Sequence, residues 1–161
     1  EQIVHEPNRF SAVVLFMGSF IDCDESNIEP TRCKKEHPNG LNPEVSISVL
    51  TVHGMRDDLV PYRGGVVGEC SAERCIVMKS AEENIAIWAK QNNCDDSPKI
   101  FDDKIKGVTI HEFENCSNDR QVMLYSVHEA GHGYLDNFLP TGRHSGGTID
   151  LLWKFFNNNP R

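Results

Sequence analysis

The 161-residue sequence has an excess of acidic over basic residues, no Cys-x-x-Cys pair and no long apolar run. Its 16 basic residues stand against 24 acidic ones, and the formal net charge of -8 argues against nucleic acid or an anionic membrane as a partner. No apolar run reaches the ~18 residues of a membrane helix. Because none of the six cysteines has Cys-x-x-Cys spacing, they indicate disulfides formed in an oxidising compartment rather than a zinc or redox site, and we expect a secreted protein.

A serine nucleophile motif is also missing. No Gly-x-Ser-x-Gly string occurs. Ser19 and Ser145 have the nearest local composition, but neither follows a strand and precedes a helix as such an elbow requires. If the chemistry uses a serine, that serine is expected on another chain.

The hydrophobic patterns predict one α/β domain. With 39% hydrophobic residues, a chain of this length can bury a core of its own. Ser80 and Glu83 have the spacing of a capping box, and Thr148 is a candidate cap for the last helix. The acids of CDES and CDDSPKIFDD are expected in solvated loops, and segment 22–44 is long enough for a surface flap over a site. Strands are predicted at 12–17, 47–52, 108–113 and 121–127, and helices at 80–92 and 147–156.

A strand that ends in an acidic turn is the first candidate for a functional site. Residues 46–54, SISVLTVHG, are rich in β-branched and apolar residues and end in glycine, which is typical of a buried parallel strand. Asp57 follows this strand, and Asp58 is the neighbouring candidate. An acid just past the carboxyl end of a strand lies where α/β enzymes bind ligands, so Asp57 is placed to orient a histidine.

The second candidate is a histidine in a glycine-rich loop. Residues 120–127, RQVMLYSV, form another strand pattern, and the chain then continues into AGHG with a glycine on each side of His132. Serine hydrolases place their general base on such a loop. The acid precedes the histidine, as in the Ser, Asp, His order of α/β-hydrolases.

Both segments resemble motifs of secreted esterases of the polyhydroxybutyrate depolymerase and feruloyl esterase type. HGMRDDLVPYRGG at 53–65 resembles that family's HGxxDxxVPYxGG motif, which places the catalytic acid on Asp57. AGHG resembles its GxGH loop, which places the catalytic histidine on His132.

The resemblance covers nearly the whole chain. NRFSAVVLFMG at 8–18 is similar to the strand that follows the family's nucleophile helix, and IWAKQNNC at 87–94 is similar to its WxxxNxC segment. Cys116 and the final IDLLWKFFNNNP at 149–160 correspond to a family cysteine and the closing helix. The family commonly continues the histidine loop with Trp-Pro-Gly, whereas residues 133–135 here are Gly-Tyr-Leu.

This resemblance implies the C-terminal part of an α/β-hydrolase fold, a mostly parallel sheet flanked by helices, over a single domain at 1–161. The matching region begins just after the nucleophile elbow and residue 1 is Glu, so we expect a proteolytically processed C-terminal chain, or an expressed fragment. An N-terminal chain carrying the serine would complete the sheet and cover its exposed edge. The implied activity is cofactor-free hydrolysis of polyester, feruloyl or related phenolic and acyl esters.

The cysteines fit the same expectation. The resembled family pairs the positions that correspond to Cys94 and Cys116. The sequon Asn115-Cys116-Ser117 suggests a glycoprotein, although a disulfide at its middle position would hinder its use. Other pairings stay open, because four cysteines allow three connectivities and a second chain could supply partners. The candidate short-range pairs are Cys23 with Cys33 and Cys70 with Cys75.

A zinc metallopeptidase is one alternative. HEAGH, with His128, Glu129 and His132, matches the HExxH pattern in which two histidines one helical turn apart bind zinc. That site requires a helix, whereas glycine costs ~1 kcal/mol in a helix interior and this string contains one and is followed by another. The metzincin third ligand is missing from its usual position, which leaves His144 as a candidate.

A non-catalytic binding subunit with a hydrolase fold is the alternative from another functional class, because fold does not fix function. The presence of both Asp57 and His132 in their expected contexts favours an enzyme, since a binding subunit needs neither.

Overall fold

The computed structural model describes residues 10–19, 46–67, 76–103, 107–133 and 147–160. Within these ranges the chain forms seven strands, two α-helices and a short 3₁₀ helix at Ser117–Asp119. The helices are α1 (Ala81–Gln91) and α2 (Gly147–Asn158). The strands are β1 (Ala12–Phe16), β2 (Ser48–Gly54), β3 (Gly65–Val67), β4 (Ile76–Met78), β5 (Lys99–Asp103), β6 (Val108–Phe113) and β7 (Val122–Val127).

Five of the strands form one mixed sheet in the order β1-β2-β7-β6-β5. β1, β2 and β7 run parallel to one another. β6 pairs antiparallel with β7, and β5 pairs antiparallel with β6. β3 and β4 form a separate antiparallel pair. The expected mixed α/β class is confirmed, and β2 is a buried parallel strand as its composition predicts.

The two helices bury the two faces of the sheet. Alternate residues of β2 point to opposite faces, with Val49 in one core cluster and Leu50 and Val52 in the other. α1 contributes Ile85 and Trp88 to the first cluster. α2 closes the second cluster, and its residues there are Leu151, Leu152 and Phe155.

Helix α1 begins where the sequence predicts. The Ser80 side chain accepts a hydrogen bond from the Glu83 backbone N–H, and the Glu83 carboxylate accepts one from the Ser80 backbone N–H. This capping box is confirmed, and it satisfies two of the backbone donors that a helix start leaves unpaired.

Two local predictions are wrong. CDDSPKIFDD was expected in a loop, but Lys99–Asp103 forms edge strand β5, because pairing with β6 supplies backbone partners that its charged sequence does not advertise. Thr148 does not cap α2, since the helix begins at Gly147 and Thr148 is buried within it.

Some sequence predictions fall outside the described residues. Segment 22–44 lies there, as does Ser145. The zinc candidate His144 and the four cysteines of the short-range pairs lie there too; these are Cys23, Cys33, Cys70 and Cys75. In the described part of the chain, no helix has the length and apolarity to cross a membrane.

A disulfide and a buried amide hold the C-terminal end of α1 against the sheet. Cys94 and Cys116 are bonded, with an S–S distance of 2.01 Å, as the resemblance implies. Asn92 is 1% exposed, and its side chain accepts from Ile47 N at 3.1 Å and donates to Ile47 O at 3.0 Å. The same amide donates to Trp88 O, so one side chain joins the helix end to the entry of β2.

Replacement of Asn92 by alanine is expected to lower the free energy of unfolding by roughly 3 kcal/mol. The substitution leaves the buried Ile47 N–H and C=O without their side-chain partner, and each buried unpaired polar group costs about 1–3 kcal/mol. Urea unfolding measures the effect. Exposed Lys90→Ala is the control, and equal midpoints for the two variants would contradict a structural role for Asn92.

Candidate functional site

The register between β2 and β7 brings two loops to the same edge of the sheet. Gly54, the last residue of β2, pairs with Val127, the last residue of β7. Beyond these residues, Met55 N donates to Val127 O at 2.8 Å and Arg56 N donates to Ala130 O at 2.9 Å. The loop after β7 is therefore tied by its backbone to the turn after β2.

Gly54 permits the close approach of these loops. A Cβ at this position would lie 2.7 Å from Gly131 O and still closer to Ala130 O. Both contacts are with backbone atoms, so a side chain at residue 54 would displace the segment that carries His132.

Asp57 is held inside the turn that follows β2. Its carboxylate is inaccessible to solvent, and Oδ1 accepts from Leu59 N at 3.0 Å and from Val60 N at 2.8 Å. An Asp that bonds the backbone two and three residues ahead stabilises a turn and fixes its own rotamer. Asp58, the neighbouring candidate, is exposed.

His132 and Asp57 meet across a sequence separation of 75 residues. The distance from His132 Nδ1 to Asp57 Oδ2 is 2.9 Å, and the His132 side chain is 36% exposed. An ionised carboxylate only accepts, so Nδ1 carries the hydrogen and a neutral ring keeps Nε2 as a proton acceptor. The arrangement is that of a general base oriented by a buried acid.

A second histidine lies behind the carboxylate. His53 is fully buried in β2; its Nε2 is 2.9 Å from Val60 O and 3.5 Å from Asp57 Oδ2. Burial lowers the pKa of His53 from its usual 6.5, which favours the neutral ring. Its Nδ1 has no hydrogen-bond partner among the described residues.

Tyr62 packs against His53. Its ring meets the His53 ring edge-on, with centroids 5.6 Å apart. Its hydroxyl lies 2.7 Å from Ser126 Oγ and donates to Glu82 Oε1 at 3.1 Å. Burial raises the pKa of Tyr62 to about 12, so the phenol stays protonated. The sequence analysis does not predict this hydrogen-bond network, because no motif links Tyr62 with Glu82 and Ser126.

The HEAGH string does not have the geometry of a helical zinc site. After β7 it forms a turn rather than a helix, and His128 Nε2 lies 2.8 Å from Thr109 Oγ1. Glu129 pairs with Arg56 at 2.5 Å on the protein surface, while His132 bonds Asp57. Among the described residues no three His, Cys, Asp or Glu side chains form a cluster that could hold a metal ion.

The structure also describes two other residues that the sequence singled out, Ser19 and Asn115. Ser19 Oγ donates to Lys79 O at 2.7 Å and accepts from Asn84 Nδ2 at 2.9 Å, which makes it part of a loop contact. Asn115 of the sequon is exposed, and its amide donates to Asp95 Oδ2 at 2.8 Å. The residue after it, Cys116, is in the disulfide.

Comparison with known proteins assigns no family to this chain: no protein-family model and no curated protein matches it. The functional argument therefore depends on the geometry of the Asp57–His132 pair and its surroundings.

Gly54→Ala is expected to separate Asp57 from His132 and to destabilise the protein. The new methyl group would overlap the backbone at Ala130 and Gly131, so the loop must move. A crystal structure or the NMR resonances of the His132 ring would report the displacement. Gly133→Ala is the matched control, because a Cβ there meets no atom of the described residues within 4 Å. An unchanged site in Gly54→Ala would contradict this account of the loop.

The free energy of unfolding is expected to fall as the pH drops below 6.5. In the unfolded chain His53 titrates at its ordinary pKa, whereas in the folded protein its pKa is lowered. The unfolded state then binds more protons, with a slope of at most about 1.4 kcal/mol per pH unit for each proton. Burial lowers the pKa of His111 as well, which adds in the same direction. Urea unfolding between pH 8 and pH 5 measures the slope, and His53→Gln should reduce it; an equal slope in that variant would show that His53 does not contribute.

Proposed function

We propose that this chain is the C-terminal part of an α/β-hydrolase domain and functions as a secreted carboxylic-ester hydrolase. Asp57 and His132 are two members of a Ser-His-Asp triad, and a partner chain of the same precursor supplies the serine. The observation that carries the proposal is the 2.9 Å contact from the partly exposed His132 to a fully buried, turn-held carboxylate.

The first chemical step follows from the tautomer that this contact selects. With its hydrogen on Nδ1, His132 accepts the serine proton at Nε2 while the serine oxygen attacks the ester carbonyl. Asp57 then stabilises the imidazolium without taking its proton. His132 returns that proton to the leaving alcohol as the carbon–oxygen bond breaks, which leaves an acyl-serine.

The second step repeats the same proton transfers with water. His132 accepts a proton from water, the resulting hydroxide attacks the acyl-serine, and the serine regains its proton as the acid is released. In both steps, backbone N–H groups near the serine, on the partner chain, would donate hydrogen bonds to the negatively charged oxygen of the tetrahedral intermediate. The acidic net charge of -8 suits an uncharged ester, and the sequence resemblance points to polyester, feruloyl or related phenolic and acyl esters.

Exposed apolar side chains favour the proposal that a partner chain binds here. β1 is one of the two edge strands of the five-stranded sheet that the described residues form, and Phe16 at its end is 41% exposed. On α2, three large apolar side chains spaced by four and three residues share one flank, which is typical of a buried helix face. They are Ile149, Trp153 and Phe156, with exposures of 65%, 64% and 43%. A chain seated here would cover both the strand edge and this flank.

The Cys94–Cys116 disulfide supports secretion, because such bonds persist in oxidising compartments and are rare in the cytosol. Glycosylation at Asn115 belongs to the same proposal. The exposed position of Asn115 favours it, and the bridged Cys116 opposes it.

Asp57→Asn and His132→Ala in the native protein are each expected to reduce ester turnover by about 10⁴-fold, the scale of triad substitutions. Asp58→Asn and His128→Ala are the matched controls, because the first acid is exposed and the second histidine bonds Thr109. The readout is hydrolysis of p-nitrophenyl and feruloyl esters. Wild-type turnover in either triad variant would remove that residue from the mechanism.

Intact mass before and after reduction, combined with fluorophosphonate labelling, tests the partner. A labelled second chain is expected. An unlabelled protein without ester turnover would favour the non-catalytic binding subunit. Zinc-dependent turnover that is lost in His128→Ala would instead favour the metallopeptidase alternative.

A further inference from the structure

His53 is not a member of the triad, yet it lies in a strand and is fully buried, whereas Asp57 and His132 lie in loops. It lies in β2, between two parallel neighbours, and none of its surface is exposed. The Tyr62 ring lies against it edge-on. The imidazole is therefore fixed relative to the sheet, whereas Asp57 is in a turn.

The His53 ring contacts the turn that holds Asp57 and lies near the Asp57 carboxylate. A carbonyl oxygen only accepts, so the 2.9 Å contact with Val60 O places the ring hydrogen on Nε2. The peptide on the other side of the same residue, Val60 N–H, donates to Asp57 Oδ1 at 2.8 Å. The same Nε2 is 3.5 Å from Asp57 Oδ2, the oxygen that bonds His132. His53 thus anchors the turn at Val60, and its ring lies next to the Asp57 carboxylate.

Packing alone does not explain a histidine here. With its hydrogen on Nε2, the ring leaves Nδ1 as a buried acceptor, and no described residue donates to it. A leucine would fill a similar volume without an unpaired nitrogen, because it has no polar atom to desolvate. A donor at Nε2 is what the histidine supplies and the leucine does not.

We propose that His53 is a positioning residue: its Nε2–H anchors the turn at Val60 and so sets the Asp57 carboxylate for His132. This inference deepens the proposed function and depends on it for its catalytic consequence. The geometric part concerns only contacts within this chain.

Two variants separate the donor from the shape of the side chain. His53→Gln retains an amide N–H near the position of Nε2, and His53→Leu retains bulk but no donor. His111→Leu is the control for losing a histidine from another strand of the sheet, since His111 is a partly buried residue of β6. All three are made in the native protein, and cooperative unfolding verifies that each is folded.

The first readout is the NMR resonance of the His132 Nδ1–H, observed with nitrogen-15 in the histidine rings. We expect a downfield, exchange-protected signal in the wild type, in His53→Gln and in His111→Leu. In His53→Leu the signal should be lost or moved upfield. If His53→Leu does not fold, His53→Asn replaces it, because the shorter amide cannot reach Val60 O.

The second readout is ester turnover. His53→Leu should lower kcat by ~10- to 100-fold with KM little changed, which is the usual scale for residues that orient a functional group, and His53→Gln should restore most of it. A wild-type His132 resonance and wild-type kcat in folded His53→Leu would overturn the proposal. A native protein without ester turnover would instead contradict the proposed function, and the NMR comparison would still decide whether His53 positions Asp57.

Discussion

The parallel ladder between β2 and β7 is the constraint on which the site depends. Because Gly54 and Val127 are paired at the ends of their strands, the two following loops leave the sheet at the same level. A slip of one residue would turn each β2 side chain to the other face of the sheet. Such a slip would move His53 to the other face of the sheet, away from Val60, and would move Asp57 away from His132. The hydrophobic clusters on the two faces therefore stabilise the geometry of the site as well as the fold.

The charge of a buried carboxylate must be stabilised by hydrogen bonds, and the turn after β2 supplies two of them to Asp57. Asp57 accepts from two backbone N–H groups and from the His132 ring, with the His53 ring close behind. Hydrogen bonds to the charged form make burial of an acid tolerable. The same groups fix its direction, so stabilising the charge and orienting His132 are one structural requirement.

The sequence predicts the parts of this structure that have a local signal. The capping spacing of Ser80 and Glu83 predicts the start of α1, and the runs at β2, β6 and β7 predict strands to within two residues at each end. Strands β3, β4 and β5 carry no such signal, since they are short or charged and depend on their pairing partners.

The same distinction applies to the site. Asp57 and His132 are predicted because each follows a strand and lies in a motif, and the structure brings them together. No role is predicted for His53 and Tyr62, although both lie in the motif at 53–65, and none is predicted for Ser126. They become neighbours only through the register of β2 with β7 and the return of the chain at Tyr62.

The 75-residue separation between Asp57 and His132 also has a kinetic meaning. Closing a loop of that length costs roughly 4 kcal/mol of chain entropy. Pairing of β2 with β7 closes the same loop, and contacts of such long range are made slowly. A partly folded chain thus contains both residues but no oriented base, so that site formation coincides with completion of the central sheet.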